Sequence, residues 1–100
     1  MAGSRKYYSE YVGHFVRFFL IYPNMSKFRT PQEEKMYTAV HTVWLDLAST
    51  EREILERLYV SKQFSNEVDI ISKEMGLQPN SVWKMVFRFE NAIAGVGGLI

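Results

Sequence analysis

Residues 66–89 read NEVDIISKEMGLQPNSVWKMVFRF, and the spacing within them decides the fold. Val68, Ile71 and Met75 recur at three and four residues, the period of an amphipathic helix with one buried stripe. Gly76 follows as the residue expected in the left-handed conformation just past a helix end, and Leu77-Gln78-Pro79 makes a tight connection. A second helix then begins near Asn80 and turns Val82, Met85 or Val86, Phe89 and Ile93 inward. Ser72 is the small residue needed where two helices cross closely, and Leu77 is placed to plug the gap between them. Two short helices meeting at a glycine-containing turn form the helix-turn-helix pattern.

Helical periodicity continues outward in both directions, and no segment alternates in the manner of a strand or carries a hairpin turn. The spacing predicts an all-α single domain of about five helices. Its parts are an N-terminal pair over 6–48, a helix-turn-helix unit over 49–94 and a flexible glycine-bearing tail over 95–100. The first helix is expected over 6–22, burying Tyr8, Tyr11, Val12, Phe15, Phe19 and Tyr22, and Pro23 stops it. Thr30-Pro31-Gln32-Glu33 combines a capping side chain, a first-turn proline and a glutamate, a strong start for a second helix. That helix carries Met36, Val40, Val43, Trp44 and Leu47 inward and ends near Ala48. Thr50-Glu51-Arg52-Glu53 reads as a second capping box, ahead of a third helix with Ile54, Leu55, Leu58 and Tyr59 buried. A loop over 61–65, with Ser65 or Asn66 as cap, leads into the fourth helix. The fifth ends near Ala94.

The chain has 100 residues, 47% hydrophobic and 23% charged, which fits one folded domain and excludes disorder. Without cysteine it has no disulfide framework, thiolate metal site or cysteine nucleophile. The stretch from Phe18 to Tyr22 is far shorter than the roughly 20 apolar residues that span a bilayer, and it runs into Pro23-Asn24 with no small-residue cleavage site. The expected address is cytoplasmic, with no membrane partner. Twelve basic side chains face 11 acidic ones, a balance that argues against strong, sequence-blind binding to nucleic acid. The distribution is uneven: residues 1–50 hold six basic against four acidic side chains, and residues 51–100 hold six against seven.

The order Thr50-Glu51-Arg52-Glu53-Ile54-Leu55, then Tyr59, then the helix-turn-helix from Val68 to Phe89, resembles region four of bacterial sigma factors and the sigma-like regulators of phages and mobile elements. The likeness covers about half of the chain, from Ser49 to Ile93. Lys6-Tyr7-Tyr8-Ser9-Glu10-Tyr11-Val12, Phe28-Arg29 and the ending Gly98-Leu99-Ile100 are similar to small prophage and mobile-element proteins of Gram-positive bacteria. Those proteins place a Lys/Arg-rich run before the final Gly-Leu-Ile, where this chain has Ala92-Ile93-Ala94-Gly95-Val96-Gly97. The resemblance implies a sigma-like DNA-binding fold, with RNA polymerase or a second copy of the chain as protein partner.

In a helix-turn-helix, the start and outer face of the second helix meet base edges. Here those positions hold Gln78, Asn80, Ser81, Lys84 and Arg88. Asn and Gln suit adenine, and Lys and Arg suit guanine or phosphate. Lys62 and Lys73 add local positive charge, and Arg5 with Lys6 could serve as a basic arm. Trp83 and Phe87 share the region, and rings at a four-residue spacing there pack against the first helix, pack across a dimer, or stack on DNA. Catalysis has little support: His14 and His41 lack a second histidine at ligand spacing, no phosphate loop or nucleophile motif occurs, and no cofactor is implied. Glu33-Glu34 and Glu51, Glu53 and Glu56 fall at helix starts, where the macrodipole favours negative charge. Two readings result. One is a transcriptional regulator that enters the major groove of double-stranded DNA with the helix from Asn80 to Ala94. The other is a protein-interaction module that uses Trp83, Phe87 and the tyrosine-rich first helix.

Overall fold

The computed structural model describes residues 7–100. Five helices follow in order, α1 (Ser9–Ile21), α2 (Pro31–Leu45), α3 (Ser49–Val60), α4 (Phe64–Met75) and α5 (Pro79–Val96), with no strand among the described residues. The expected helix start at Lys6 and the basic arm of Arg5 and Lys6 lie outside them. The fold is all-α, as the periodicity requires.

Local chemistry sets most of the boundaries. The Thr30 hydroxyl accepts the Glu33 N–H at 3.1 Å, and the Glu33 carboxylate accepts the Arg29 N–H at 3.1 Å, so α2 starts where its sequence announces. Its end comes at Leu45, before Ala48, because Arg52 reaches back from α3 to donate to the carbonyls of Trp44 and Leu45 at 3.0 and 2.8 Å. A guanidinium thus satisfies two carbonyls that a helix C-terminus leaves open. The α3 cap differs from expectation. The cap falls at Ala48, two residues upstream of Thr50, and Glu51 accepts the Ala48 N–H at 3.1 Å. Alanine has no side-chain acceptor, so only the carboxylate half of a capping box is made.

Helix α4 also starts earlier than Ser65, at Phe64, and Gln63 gives it no side-chain cap. The Phe64 ring lies edge-on to Tyr59, 5.2 Å between centroids, and stacks on Trp83 at 5.5 Å. Drawing that ring into the helix contributes more than a side-chain cap, worth about 1 kcal/mol. Gly76 has φ 66° and ψ 32° and its N–H bonds to the Ser72 carbonyl, as its place in the sequence predicts. Leu77 is more open than a plug would be, at 37% exposure. The gap is closed instead by Ser72, Val82 and Val86, which are all buried. Of the Met85 and Val86 alternatives, Val86 is the deeper, and Met85 is half-buried.

Helix α1 packs on α2, α3 and α5, and α5 on α1, α2 and α4. The core combines Val12, Val16, Met36, Val40, Leu58 and Ile93, all fully buried, with further side chains from every helix. Two tyrosines assigned to it point outward, Tyr11 at 41% and Tyr22 at 53% exposure. The inward face of α1 is narrower than aromatic spacing implied, because Gly13 and Val16 supply the close approach to α3. Val43, Trp44 and Leu47 are half-buried. Tyr37, assigned no inward role by the sequence, is buried. Its hydroxyl donates to the Tyr22 carbonyl and accepts the Met25 N–H, which fixes the connection between α1 and α2.

The C-terminus is not a free tail. Helix α5 runs two residues past Ala94, the Leu99 N–H bonds to the Ala94 carbonyl at 2.8 Å, and the Tyr7 hydroxyl donates to the Leu99 carbonyl at 3.0 Å. Gly97 is what allows this, since a Cβ there would sit 2.7 Å from Met36 Sδ and 3.1 Å from the Ile93 carbonyl oxygen. Gly97→Ala is therefore expected to destabilise the domain by about 1 to 3 kcal/mol through overpacking, read as a lower urea midpoint at unchanged slope.

Candidate nucleic-acid interface

The pair α4 and α5, joined through Gly76, carries the residues expected to read DNA. Helix α5 begins with Pro79 in its first turn and Gln78 as the residue before it. Proline costs nothing there, because a first-turn N–H has no intrahelical partner. The start therefore falls one residue ahead of Asn80, and Asn80 and Ser81 stand in the first turn. No side chain caps this terminus and no acidic residue occupies its first turn, whereas α1, α2, α3 and α4 each place a glutamate there. The positive end of the α5 dipole is left facing outward with no acid in its own first turn, although the Ser81 and Val82 N–H groups already bond to the Gln78 carbonyl.

Gln78, Asn80, Ser81, Lys84 and Arg88 are all exposed. None of their side chains forms a hydrogen bond or ion pair among the described residues. Val82, Val86 and Phe89 hold the helix from beneath. Arg88 stands apart from the other four, in a shallow hollow of about 230 Å³ that Asp46 and Glu51 also line.

Trp83 and Phe87 are half-buried. Trp83 stacks between Phe64 and Phe87, with centroids at 5.5 and 5.7 Å, so its packing partner lies on α4 and not on α1. The stack continues through Phe64 to Tyr59 and ties the α5 start to the core.

The acidic balance of the second half also changes once its charges are placed. Arg57 of α3 bonds to Glu67 at 2.8 Å and to Glu74 at 2.6 Å, which partly offsets the charge of two carboxylates. The Arg57 hydrogen bond holds the Glu74 carboxyl below its ordinary range. A depressed carboxyl contributes stability above its unfolded-state pKa and loses it as pH falls through the folded value. Acidification below about pH 4 should thus release Glu74 from Arg57, and Glu74→Gln should abolish that loss. Both groups are solvent-accessible, so the effect is expected to be small, seen as a slight shift of the urea midpoint with pH.

Glu90, which enters the sequence reading only in the charge balance of residues 51–100, is buried. It accepts a hydrogen bond from the Tyr59 hydroxyl. Nearby, Arg17 covers the Tyr59 ring at 5.7 Å, and the Tyr8 hydroxyl donates to Asn91 at 2.8 Å. Burial, with Glu90 close by, pushes the Tyr8 phenol up. A signal did exist in the sequence, since Glu90 lies four residues beyond Val86 and continues its inward line. The surface around the α4 and α5 pair therefore retains Lys62, Lys73, Lys84 and Arg88 as exposed cations.

A hollow of about 680 Å³ lined by His14, Phe18, Tyr22, Lys27, Phe28 and Arg29, among others, shares no residue with this surface. No group of three or more His, Cys, Asp or Glu side chains could hold a metal ion among the described residues, and no helix among them is long and apolar enough to cross a membrane. No protein-family model, curated protein or solved structure matches the chain.

Proposed function

We propose that the chain is a DNA-binding regulator of helix-turn-helix type, in which α4 and Gly76 position α5 and the start of α5 enters the major groove of double-stranded DNA. The observation that carries this reading is the state of the α5 terminus. It is uncapped, bears no first-turn acid and is surrounded by four exposed, unengaged side chains, Gln78, Asn80, Ser81 and Lys84. The positive end of a helix dipole with no neighbouring acid suits phosphate. Asn80 and Gln78 carry the paired donor and acceptor that adenine presents in reverse, and Lys84 suits guanine or a phosphate. The burial of Glu90 and the pairing of Glu67 and Glu74 with Arg57 weaken the objection from net charge, because the acids that outweigh the cations in number are not all unpaired on one surface. Arg88, beside Asp46 and Glu51, lies to one side of this contact. The stack of Phe64, Trp83 and Phe87 speaks for a structural use of these rings over a bare interaction patch.

The test is binding of the full chain to a random-sequence DNA pool at low salt, followed by the double variant Asn80→Ala, Lys84→Ala on the selected sequence. Loss of one base contact is worth about 1 to 3 kcal/mol, so binding should weaken roughly tenfold or more. If Lys84 meets a phosphate, its removal should also lower the salt slope by about 0.9. Failure of the unmutated chain to retain any DNA from the pool would overturn the reading.

A further inference from the structure

The flank shared by α2 and α5 carries an apolar surface that the DNA reading does not use. Leu45 and Val96 are 63% and 52% exposed, and with Val43 and Ala92 they line one hollow of about 380 Å³. The hollow that holds Arg88 adjoins it, sharing Val43, Asp46 and Ala92, and extends to Glu51. Arg88 makes no ion pair with Asp46 or Glu51 among the described residues, although all three border the same depression. An apolar strip with a cation on one helix and anions beside it on its neighbours complements itself under a two-fold rotation, which brings each cation to the other copy's anion.

We propose that this flank binds a second copy of the chain, with Leu45 and Val96 buried across the axis and Arg88 of each copy meeting Asp46 of the other. The helical advance of about 100° per residue puts Ala92 and Val96 some 80° and 120° around α5 from Lys84. A partner seated on the α2 side therefore leaves Asn80 and Lys84 open. The self-association stands on this surface alone. The consequence that DNA meets two reading helices per site rests on the function proposed above.

Sedimentation of the full chain without DNA tests the pairing. The mass should rise with concentration to twice 11.7 kDa. Leu45→Glu with Val96→Glu should hold it at the monomer while helical circular dichroism and melting temperature stay unchanged, since both sites are exposed. Arg88→Asp should dissociate the dimer, and adding Asp46→Arg should restore it. A monomer at every concentration, or a dimer indifferent to all of these variants, would overturn the proposal. Asn80→Ala with Lys84→Ala should remain dimeric, so loss of DNA binding and loss of pairing fail separately. DNA bound by a single chain per site would likewise count against pairing while leaving the DNA reading intact.

Discussion

Replacing Tyr59 with alanine should leave most of the chain unfolded at room temperature. Tyr59 is fully buried where α1, α3, α4 and α5 meet, with Phe64 and Phe89 edge-on to its ring, Arg17 over its face and its hydroxyl on Glu90. Removing a buried aromatic ring costs about 3 to 5 kcal/mol. The variant also takes a hydrogen-bond donor from a carboxylate inside the core, a loss of roughly 1 to 3 kcal/mol. Together these approach the whole stability of a small domain, about 5 to 15 kcal/mol. Tyr59→Phe separates the terms, because it keeps the ring and deletes only the hydroxyl. It should fold with a urea midpoint lowered by that second amount, and Glu90→Gln in the same background should recover part of the loss. If Tyr59→Ala melted within a few degrees of the unmutated chain, the junction of the four helices would be misassigned.

Where the sequence carries its own local instruction, the fold is legible. Thr30 and Glu33 act across three residues, Gly76 acts on its own backbone, and the line Ile54, Leu55, Leu58, Tyr59 needs only a helical period. The misplaced features depend on contacts between distant segments. Phe64 starts α4 because Tyr59 and Trp83 are waiting for its ring, while a reading of neighbours alone favours Ser65 or Asn66 as cap. Arg52 ends α2 from the next helix. Glu90 and Tyr37 are polar by type and buried by partner, and those partners lie 31 and 12 to 15 residues away. The end of the chain behaves likewise, since Gly97, which in isolation signals freedom, here permits the close passage of Met36. The surface expected to read DNA was legible as a set of positions, because one helical face suffices to define it. The engagement of its neighbouring acids was not, because Arg57 and Tyr59 come from another helix.

Ser72→Leu should damage both stability and any use of α5, and in that order of cause. Ser72 lies at the crossing of α4 and α5, is 4% exposed, and turns its hydroxyl onto the Val68 carbonyl of its own helix at 2.7 Å. Because that carbonyl is also the acceptor for the regular helical bond, the hydroxyl is dispensable. Ser72→Ala should therefore change stability by less than about 1 kcal/mol. Leucine adds two heavy atoms net, and a branched end, at a buried position. It should cost about 1 to 3 kcal/mol or more by forcing the helices apart, read as a lower urea midpoint. The displacement would act where Val82 and the Trp83 ring anchor the start of α5, so Asn80 and Lys84 would shift against whatever they bind. DNA binding measured well below the midpoint, where the variant is still folded, should fall for Ser72→Leu and persist for Ser72→Ala. Equal binding by the two folded variants would mean that the α4 and α5 crossing does not position the contact surface, and would detach the glycine turn from the function assigned to it.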